Sequence, residues 1–236
     1  MIVSHQHRFI FMKTRKTAGT SIEIALSENC GPKDIISKID ANDEKLREEL
    51  GFVGPQNLAV PIRKLKFREL LRLLIKREKT NHYNHCTADL VKHRIGSKKF
   101  GSYTSFCVVR NPWDRAVSMY WFSRNRGDRH AIDQSITFTE FIFSAPRELI
   151  TDQDIYMIDG EIVIDHIVRF ENLRPELDEV TSIIGIPSLT LPHAKGGTRK
   201  DKQHYSLMFD DKTRDFIAEM CAFEIKYFGY EFDDQR

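Results

Sequence analysis

The sequence of 236 residues lacks the features that mark membrane-spanning, secreted and disulfide-linked proteins. No stretch approaches the roughly 18 apolar residues of a membrane-spanning helix, and the N-terminal MIVSHQHRF has no apolar core of signal-peptide length. The four cysteines, Cys30, Cys86, Cys107 and Cys221, form no CxxC pair. Such cysteines are typical of free buried thiols in a reducing compartment. We therefore expect no disulfides and no metal site.

A large excess of charge of one sign is also missing. The formal net charge is +2 and the pI is about 8.3, which is too mild to predict binding to nucleic acid. Hydrophobic residues make up 41% of the chain, which suits one α/β domain with a sizeable core. The basic residues therefore matter by their positions and not by their total.

The segment FIFMKTRKTAGTS, from Phe9 to Ser21, predicts a turn that binds an anion. Its first four residues are apolar, as in a buried strand over 7–13, and the residues after the turn predict a helix over 19–28. The first amides of a helix lack intrahelical partners and carry partial positive charge. Gly19 lets a ligand approach the backbone, and Lys16 adds a full charge. The predicted ligand is a phosphate or sulfate ester.

This turn is not a Walker A loop, which requires a glycine, four residues and then Gly-Lys-Ser/Thr. Here Lys16 precedes Gly19, and no glycine lies upstream of the lysine. Magnesium chemistry of the nucleotide-kinase kind is therefore disfavoured. An ordinary strand–helix turn with exposed basic residues is the alternative interpretation.

A second basic cluster lies in the segment TSFCVVRNPWDRAVSMY and follows another predicted strand. Arg110 stands where that strand ends, and the Asn-Pro pair after it is typical of a helix start. The helix carries Arg115 and Ser118 three positions apart and so on one face. Guanidinium groups and a hydroxyl suit a second phosphate. Because ligands of open α/β sheets bind beyond the carboxyl ends of strands, both clusters are expected at such ends.

Together the two segments resemble the sulfotransferase superfamily, whose members use 3′-phosphoadenosine 5′-phosphosulfate (PAPS). The turn from Arg15 to Ser21 is similar to the family's 5′-phosphosulfate loop. Arg110, followed eight residues later by Ser118, resembles its 3′-phosphate motif. The likeness is greatest to the branch that contains the carbohydrate 2-O-sulfotransferases and many bacterial relatives.

Further segments fit that branch, namely His85-Cys-Thr-Ala88 at a helix start and Arg169-Phe-Glu-Asn-Leu173 after a late strand. The resemblance covers about residues 7–29 and 82–232. Arg15 departs from the family pattern, which usually has proline before the loop lysine.

The resemblance implies a role for each of these residues. Lys16 would stabilise charge beside the bridging oxygen of the donor, and Arg110 with Ser118 would hold the 3′-phosphate. His85 would be the general base, since an imidazole can take a hydroxyl proton near neutral pH. His82, or no single base, is the alternative. The predicted 5′-phosphosulfate loop consists of Arg15, Lys16, Thr17, Ala18, Gly19, Thr20 and Ser21.

Two other basic segments invite functional interpretations. The loop 195–203 would place Arg199 or Lys200 near the 3′-phosphate, because family members cover the donor with a late basic loop. A helix predicted over 66–79 has apolar residues at helical spacing and a basic face. That face would bind an anionic acceptor or an acidic lipid surface. A solvated loop and a solvated helix face are the alternatives.

Strands alternating with helices predict an α/β fold with a mostly parallel sheet, and the resemblance implies a P-loop-like three-layer α/β/α form. We expect a single sulfotransferase domain over residues 1–236. Residues 30–81, which are rich in charge and contain three prolines, would form a helical insertion or lid after the first βα unit.

The predicted function is in-line transfer of a sulfuryl group from PAPS to a hydroxyl of a saccharide or glycoconjugate. The predicted product is adenosine 3′,5′-bisphosphate, with no metal and no nucleic-acid partner. A cytoplasmic, bacterial enzyme is expected, because the sequence shows no membrane anchor of the kind that animal carbohydrate sulfotransferases carry. The alternatives are a nucleotide or small-molecule kinase on a related P-loop fold and a non-enzymatic module that binds an anionic polymer. The acceptor's identity and the oligomeric state stay open.

Overall fold

The structure, a computed structural model, describes residues 1–125, 131–192 and 203–236. The chain forms two compact units. The first contains residues 1–14, 18–108 and 153–194, and the second contains residues 15–17, 109–152 and 195–236.

The strands are β1 (Ile2–Ser4), β2 (Phe9–Met12), β3 (Ile35–Ile36), β4 (Thr104–Val109), β5 (Met157–Ile158), β6 (Glu161–Ile162) and β7 (His166–Arg169). The helices are α1 (Gly19–Ser27), α2 (Ala41–Glu49), α3 (Phe67–Lys76), α4 (Ala88–Ile95), α5 (Ser97–Phe100), α6 (Pro112–Arg124), α7 (Phe138–Ser144), α8 (Arg147–Ile150), α9 (Gln153–Tyr156), α10 (Leu173–Ile183), α11 (Asp211–Met220) and α12 (Ala222–Phe228). Short 3-10 helices occur at Ile62–Lys64, Phe170–Asn172 and Tyr205–Met208.

Five strands form one sheet in the order β3-β1-β2-β4-β7. β2 and β4 run parallel, whereas β1 runs antiparallel to both β2 and β3. The sheet is therefore mixed: β2, β3 and β4 run in one direction, and β1 runs against them. A mostly parallel sheet stays a prediction for the sheet as a whole. The α/β class is confirmed, while the P-loop-like three-layer form stays a prediction.

The segment 30–81 holds two helices, α2 and α3, of which α3 corresponds to the helix predicted over 66–79, and also the strand β3. β3 pairs with β1 through Ile36 opposite Ile2, so this segment supplies the edge of the sheet as well as helices. Its role as an insertion or lid stays a prediction, as does the single domain over residues 1–236.

The carboxyl ends of β2 and β4 lie side by side, because the two strands are parallel neighbours with Met12 opposite Cys107. Just beyond them, the hydroxyl of Thr14 donates a hydrogen bond to the carbonyl of Val108. Both predicted anion-binding segments start at these strand ends. Their expected position at the carboxyl edge of parallel strands is thus observed.

The core of the first unit explains why α1 packs on the sheet. The buried residues of the strands and of α1 and α10 form one cluster that includes Ile2, Phe9, Phe11, Phe106, Val108, Ile22, Leu26, Leu177 and Val180. Phe9 and Phe11 alternate along β2 and so point to one face of the sheet. Burying such side chains contributes about 1.5–3 kcal/mol each, which holds the start of α1 at a fixed place beyond β2.

In the second unit, α6 is the central helix. It begins as the sequence predicts, with Pro112 in the first turn and the Asn111 side chain accepting hydrogen bonds from the amides of Trp113 and Asp114 at 3.1 and 3.3 Å. The apolar residues of α6 pack with those of α7, α8 and α11 in one cluster that includes Trp113, Val117, Tyr120, Phe138, Phe141, Ile150 and Ile217.

The expectation of buried thiols is confirmed, because Cys30, Cys86, Cys107 and Cys221 are all buried and none of the four forms a disulfide. In the part of the chain that the structure describes, every helix is too short or too polar to cross a lipid bilayer.

Candidate functional site

The start of α1 has the open amides that an anion site needs. The N-cap residue is Ala18, in the left-handed conformation with φ of 59°, and alanine has no side-chain acceptor for the first amides of the helix. A Cβ at Gly19 would lie 2.9 Å from Cγ of Lys13 and 3.3 Å from the carbonyl oxygen of Thr14. Only glycine therefore fits here without movement of its neighbours.

Unusual backbone conformations concentrate at the predicted site residues. Among the described residues, positive φ outside glycine occurs at Arg8, Lys16, Ala18, Asn57, Arg77, His85 and Asp159. Asn57 and Asp159 are types that adopt this region readily, and Arg77 ends α3. Three of the remaining four were predicted from the sequence as site residues. Such conformations cost on the order of 1–3 kcal/mol and are typical of functional sites.

In the second unit, a carboxylate that the sequence did not reveal holds the loop. Asp152, which follows α8, accepts a hydrogen bond from the amide of Arg15 at 2.7 Å and pairs with the Arg15 guanidinium. The Arg115 guanidinium donates to the same carboxylate at 3.2 Å. Arg115 and Asp152 are both buried. Arg115, which we expected on the phosphate-binding face of its helix, therefore pairs with Asp152.

This ion-pair group gives a structural reason for the departure from the family pattern at Arg15. Proline would fix the backbone before the lysine but could donate no amide hydrogen. Here the Arg15 amide and side chain both bind Asp152, which fixes the same residue by contacts. Asp152 is 137 positions away in the sequence, and any of the chain's 34 acidic residues could have filled this role.

Replacing Asp152 by asparagine should lower the free energy of unfolding by about 2 kcal/mol, because the buried Arg115 would lose its charged partner. The measurement is the urea midpoint of unfolding. Asp154→Asn is the matched control, since Asp154 is an exposed carboxylate two positions away, and it should change the midpoint little. Equal midpoints for the two variants would show that Asp152 does not hold the loop.

Arg110 lies at the end of β4, as predicted, and its guanidinium is held in a fixed orientation. Its Nε and Nη2 donate to Oδ2 of Asp114 at 2.9 and 2.6 Å, and its Nη1 donates to the carbonyl oxygen of Lys16 at 2.8 Å. Ser118 is half-buried on α6, one turn after Asp114 and on the same helix face. The oriented guanidinium of Arg110 and the hydroxyl of Ser118 are groups suited to binding a phosphate.

The Lys16 side chain extends over an aromatic ring. Its Nζ lies 4.3 Å from the centroid of the Phe122 ring on α6, a distance at which the ring face attracts a cation. The Lys16 carbonyl accepts the hydrogen bond from Arg110. The predicted catalytic lysine and the predicted 3′-phosphate arginine are therefore linked within the second unit, and Phe122 is a contact that the sequence did not reveal.

His85, in the first unit, has the tautomer of a general base. Its Nδ1 lies 2.9 Å from the carbonyl oxygen of Lys13. A carbonyl oxygen can only accept, so Nδ1 carries the proton and the neutral ring has its lone pair on Nε2. The residue is half-buried, just before α4.

A buried ionic network lies behind His85. Lys13 Nζ donates to Glu23 at 2.8 Å, and the Met1 amino group lies 3.0 Å from the same carboxylate. Burial opposes ionisation of Glu23, but the charges of Met1 and Lys13 outweigh it and hold the pKa of this carboxyl below its usual value. Asn84, next to His85, accepts hydrogen bonds from the Met1 amine and from Ser37. The network thus fixes the chain on both sides of the His85–Lys13 contact.

His82 is less suited to act as the base. It is buried, and its Nδ1 has no hydrogen-bond partner among the described residues. Burial and the nearby charge of Arg94 lower the pKa of His82 to about 4. An imidazole with so low a pKa is a weak base, so His85 is the stronger candidate.

The predicted site residues are distributed over both units. Ala18, Gly19, Thr20, Ser21 and His85 belong to the first unit, and Arg15, Lys16, Thr17, Arg110 and Ser118 belong to the second. Arg199, Lys200 and nearly all of the predicted clamp loop lie outside the described residues.

Comparison with known proteins identifies the family. A family model described as the sulfotransferase family matches residues 1–231. An uncharacterized protein of Archaeoglobus fulgidus is 30% identical over 101 residues, which are 42% of this chain and 81% of that protein. No solved structure matches the chain. Because the family model covers nearly the whole sequence, the chain belongs to the sulfotransferase family.

Proposed function

We propose that this protein transfers the sulfuryl group of PAPS to a hydroxyl group of a saccharide or glycoconjugate. Membership of the family supports sulfuryl transfer in general. The observation that supports PAPS as the donor is the 2.8 Å hydrogen bond from Arg110 to the carbonyl of Lys16. It connects the residue proposed to bind the 3′-phosphate with the residue proposed to act on the sulfuryl group.

The proposed reaction assigns one step to each group. The amides from Thr17 to Ser21 hold the 5′-phosphosulfate, and Nε2 of His85 takes the proton of the acceptor hydroxyl. The acceptor oxygen forms a bond to sulfur while the bond from sulfur to the bridging phosphate oxygen breaks. Lys16 stabilises the negative charge that develops on that bridging oxygen. Adenosine 3′,5′-bisphosphate leaves with the bonding electrons.

Arg110 and Ser118 are proposed to hold the 3′-phosphate. Asp114 occupies two of the Arg110 donors and so keeps the guanidinium in place before the donor binds. A phosphate with nearly two negative charges can share or replace that carboxylate, because a guanidinium fork matches the geometry of its oxygens.

We propose that residues 1–236 work as one cytoplasmic sulfotransferase of bacterial type. Residues 30–81 are proposed as the segment that selects the acceptor, since they contain none of the residues proposed to bind the donor. Lysine, arginines and helix amides supply the positive charge that magnesium provides in kinases, so the reaction should need no metal.

A thermal-shift comparison in EDTA tests this function. Adenosine 3′,5′-bisphosphate should raise the unfolding temperature, because it binds the folded protein alone. ATP with magnesium, added in a parallel series without EDTA, should have a much smaller effect. Stabilisation by ATP with magnesium and none by the bisphosphate would contradict the proposal and favour a kinase. Stabilisation by heparin alone would favour a module that binds anionic polymers.

A further inference from the structure

Helix α3 exposes the apolar residues that its sequence pattern would place in a core. Phe67 is 76% exposed, Leu74 70% and Ile75 72%. Every residue of this helix is exposed or half-buried. A helix at the surface of a globular protein normally buries its apolar stripe. Large apolar side chains that remain uncovered together mark a surface for interaction.

The exposed apolar residues form one continuous stripe with a basic border. At about 100° per residue, Phe67, Leu71, Leu74 and Ile75 fall within one arc of the helix. Three basic residues, Arg68, Arg72 and Lys76, lie along one side of that arc. The opposite side carries the half-buried Leu70 and Leu73, so α3 uses those two for packing and presents the stripe outward.

Ion pairs with α4 hold α3 in this orientation. Glu69, on the inner side, accepts a hydrogen bond from the buried Arg94 at 2.7 Å. Lys66, at the N-cap, pairs with Asp89 at 2.8 Å. Both partners lie on α4, so rotating α3 to bury its stripe would break a pair with a buried arginine.

The charge around α3 is strongly positive although the protein as a whole is nearly neutral. Residues 63–79 contain eight lysines and arginines and two glutamates, a net charge of +6, against +2 for the whole chain. The basic residues are Arg63, Lys64, Lys66, Arg68, Arg72, Lys76, Arg77 and Lys79. Positive charge is therefore concentrated at the segment that also exposes the apolar stripe.

We propose that α3 docks the protein on the surface of an anionic lipid bilayer, with its apolar stripe in the interface and its basic residues against the headgroups. This combination is typical of interfacial helices, and 4–8 basic residues on such a helix attract acidic lipids. An anionic polymer would need the charges but not the apolar stripe. A second copy would bring two strongly positive surfaces together. The proposal is independent of sulfuryl transfer, because vesicle binding requires no donor.

Sedimentation with vesicles tests the proposal. The wild-type protein should sediment with vesicles of phosphatidylcholine and phosphatidylglycerol, less so at high salt, and not with phosphatidylcholine alone. The partition coefficient of the double variant Phe67→Ser/Ile75→Ser into the anionic vesicles should be at least about tenfold lower than that of the wild-type protein. Ile183→Ser/Leu207→Ser is the matched control, since these large apolar residues lie outside α3 and are also exposed, at 50% and 48%. It should partition like wild type.

The contribution of charge is tested separately. Arg68→Gln/Arg72→Gln/Lys76→Gln should lower vesicle binding by about tenfold or more. Lys33→Gln/Lys98→Gln/Lys99→Gln removes the same charge from exposed lysines outside the segment and should lower binding far less.

Insertion of the stripe can be observed directly. The four native cysteines are buried, so a polarity-sensitive thiol dye would label Leu74→Cys selectively. Its emission should shift to the blue when anionic vesicles are added, and dye on Lys98→Cys should show no shift. Absence of wild-type sedimentation would overturn the proposal. Undiminished vesicle binding by the Phe67/Ile75 variant, together with tight binding to heparin, would also overturn it and would favour an anionic polymer. So would a wild-type dimer that forms with rising protein concentration without vesicle binding and is abolished in this variant, since it would favour a second copy of the chain.

Discussion

Replacing Lys16 by alanine should lower kcat for sulfuryl transfer by about 100-fold or more, because a charge that stabilises the transition state is lost. Lys16→Met should have a similar effect. Methionine keeps an apolar stem that can lie along the Phe122 ring, which the Lys16 ammonium faces at 4.3 Å, but it has no charge. The measurement is single-turnover release of adenosine 3′,5′-bisphosphate, which separates chemistry from product release.

Two further variants separate the role of Lys16 from binding. Lys98→Ala removes an exposed lysine and should leave the rate unchanged. His85→Ala should slow the reaction to a similar extent as Lys16→Ala while donor affinity changes little, since the base acts on the acceptor. A Lys16→Met enzyme that works within about threefold of the wild-type rate would remove Lys16 from the mechanism.

Adenosine 3′,5′-bisphosphate should bind at least about 100-fold more tightly than AMP. The two nucleotides differ only in the 3′-phosphate, and charge-assisted hydrogen bonds are worth about 1.5–3 kcal/mol each. Arg110→Ala should abolish most of this difference. Calorimetric titration of both nucleotides measures it.

Arg110 also binds the Lys16 carbonyl, so a loss of affinity in Arg110→Ala could come from the loop. Ser118→Ala is the cleaner variant. It should reduce the preference by about tenfold, as one hydrogen bond to a charged group is lost. Arg8→Ala, an exposed arginine in the first unit, serves as the control. Equal affinities of the wild-type protein for AMP and the bisphosphate would contradict the roles of Arg110 and Ser118.

Secondary-structure elements could be predicted where a short sequence pattern specifies them. The apolar run of β2 and the Asn-Pro start of α6 correspond to observed structure. β1 could not be predicted, since Ile2–Ser4 is too short for a periodic pattern and is a strand because it pairs with β2. The break between α11 and α12 has no local signal either: it lies at Cys221, whose backbone departs from helical values.

The residues of the candidate site that could be predicted from the sequence lie in short motifs. Lys16, Gly19, Arg110 and Ser118 belong to two short segments, whereas Phe122 and Asp152 act on the loop from more than 100 positions away. A local sequence pattern cannot predict contacts between residues so far apart in the chain.

Two side chains show that the spacing of residues along a helix does not predict what those residues contact. Glu23 lies between two buried isoleucines in α1, where the sequence gives no sign of its buried pairing with Lys13. In α3 the apolar residues have the helical spacing that usually predicts a face packed on the core. Here that face is exposed, as the 70% exposure of Leu74 shows. Helical spacing shows which residues share a face, but it does not show what covers that face.

The most direct test of the central claim is mass spectrometry of products formed from PAPS and a set of hydroxyl acceptors in EDTA. The account predicts that an acceptor gains the mass of one sulfuryl group, that an equal amount of adenosine 3′,5′-bisphosphate forms, and that Lys16→Ala makes neither at a comparable rate. A phosphorylated product from ATP and magnesium, with PAPS neither bound nor consumed, would contradict it.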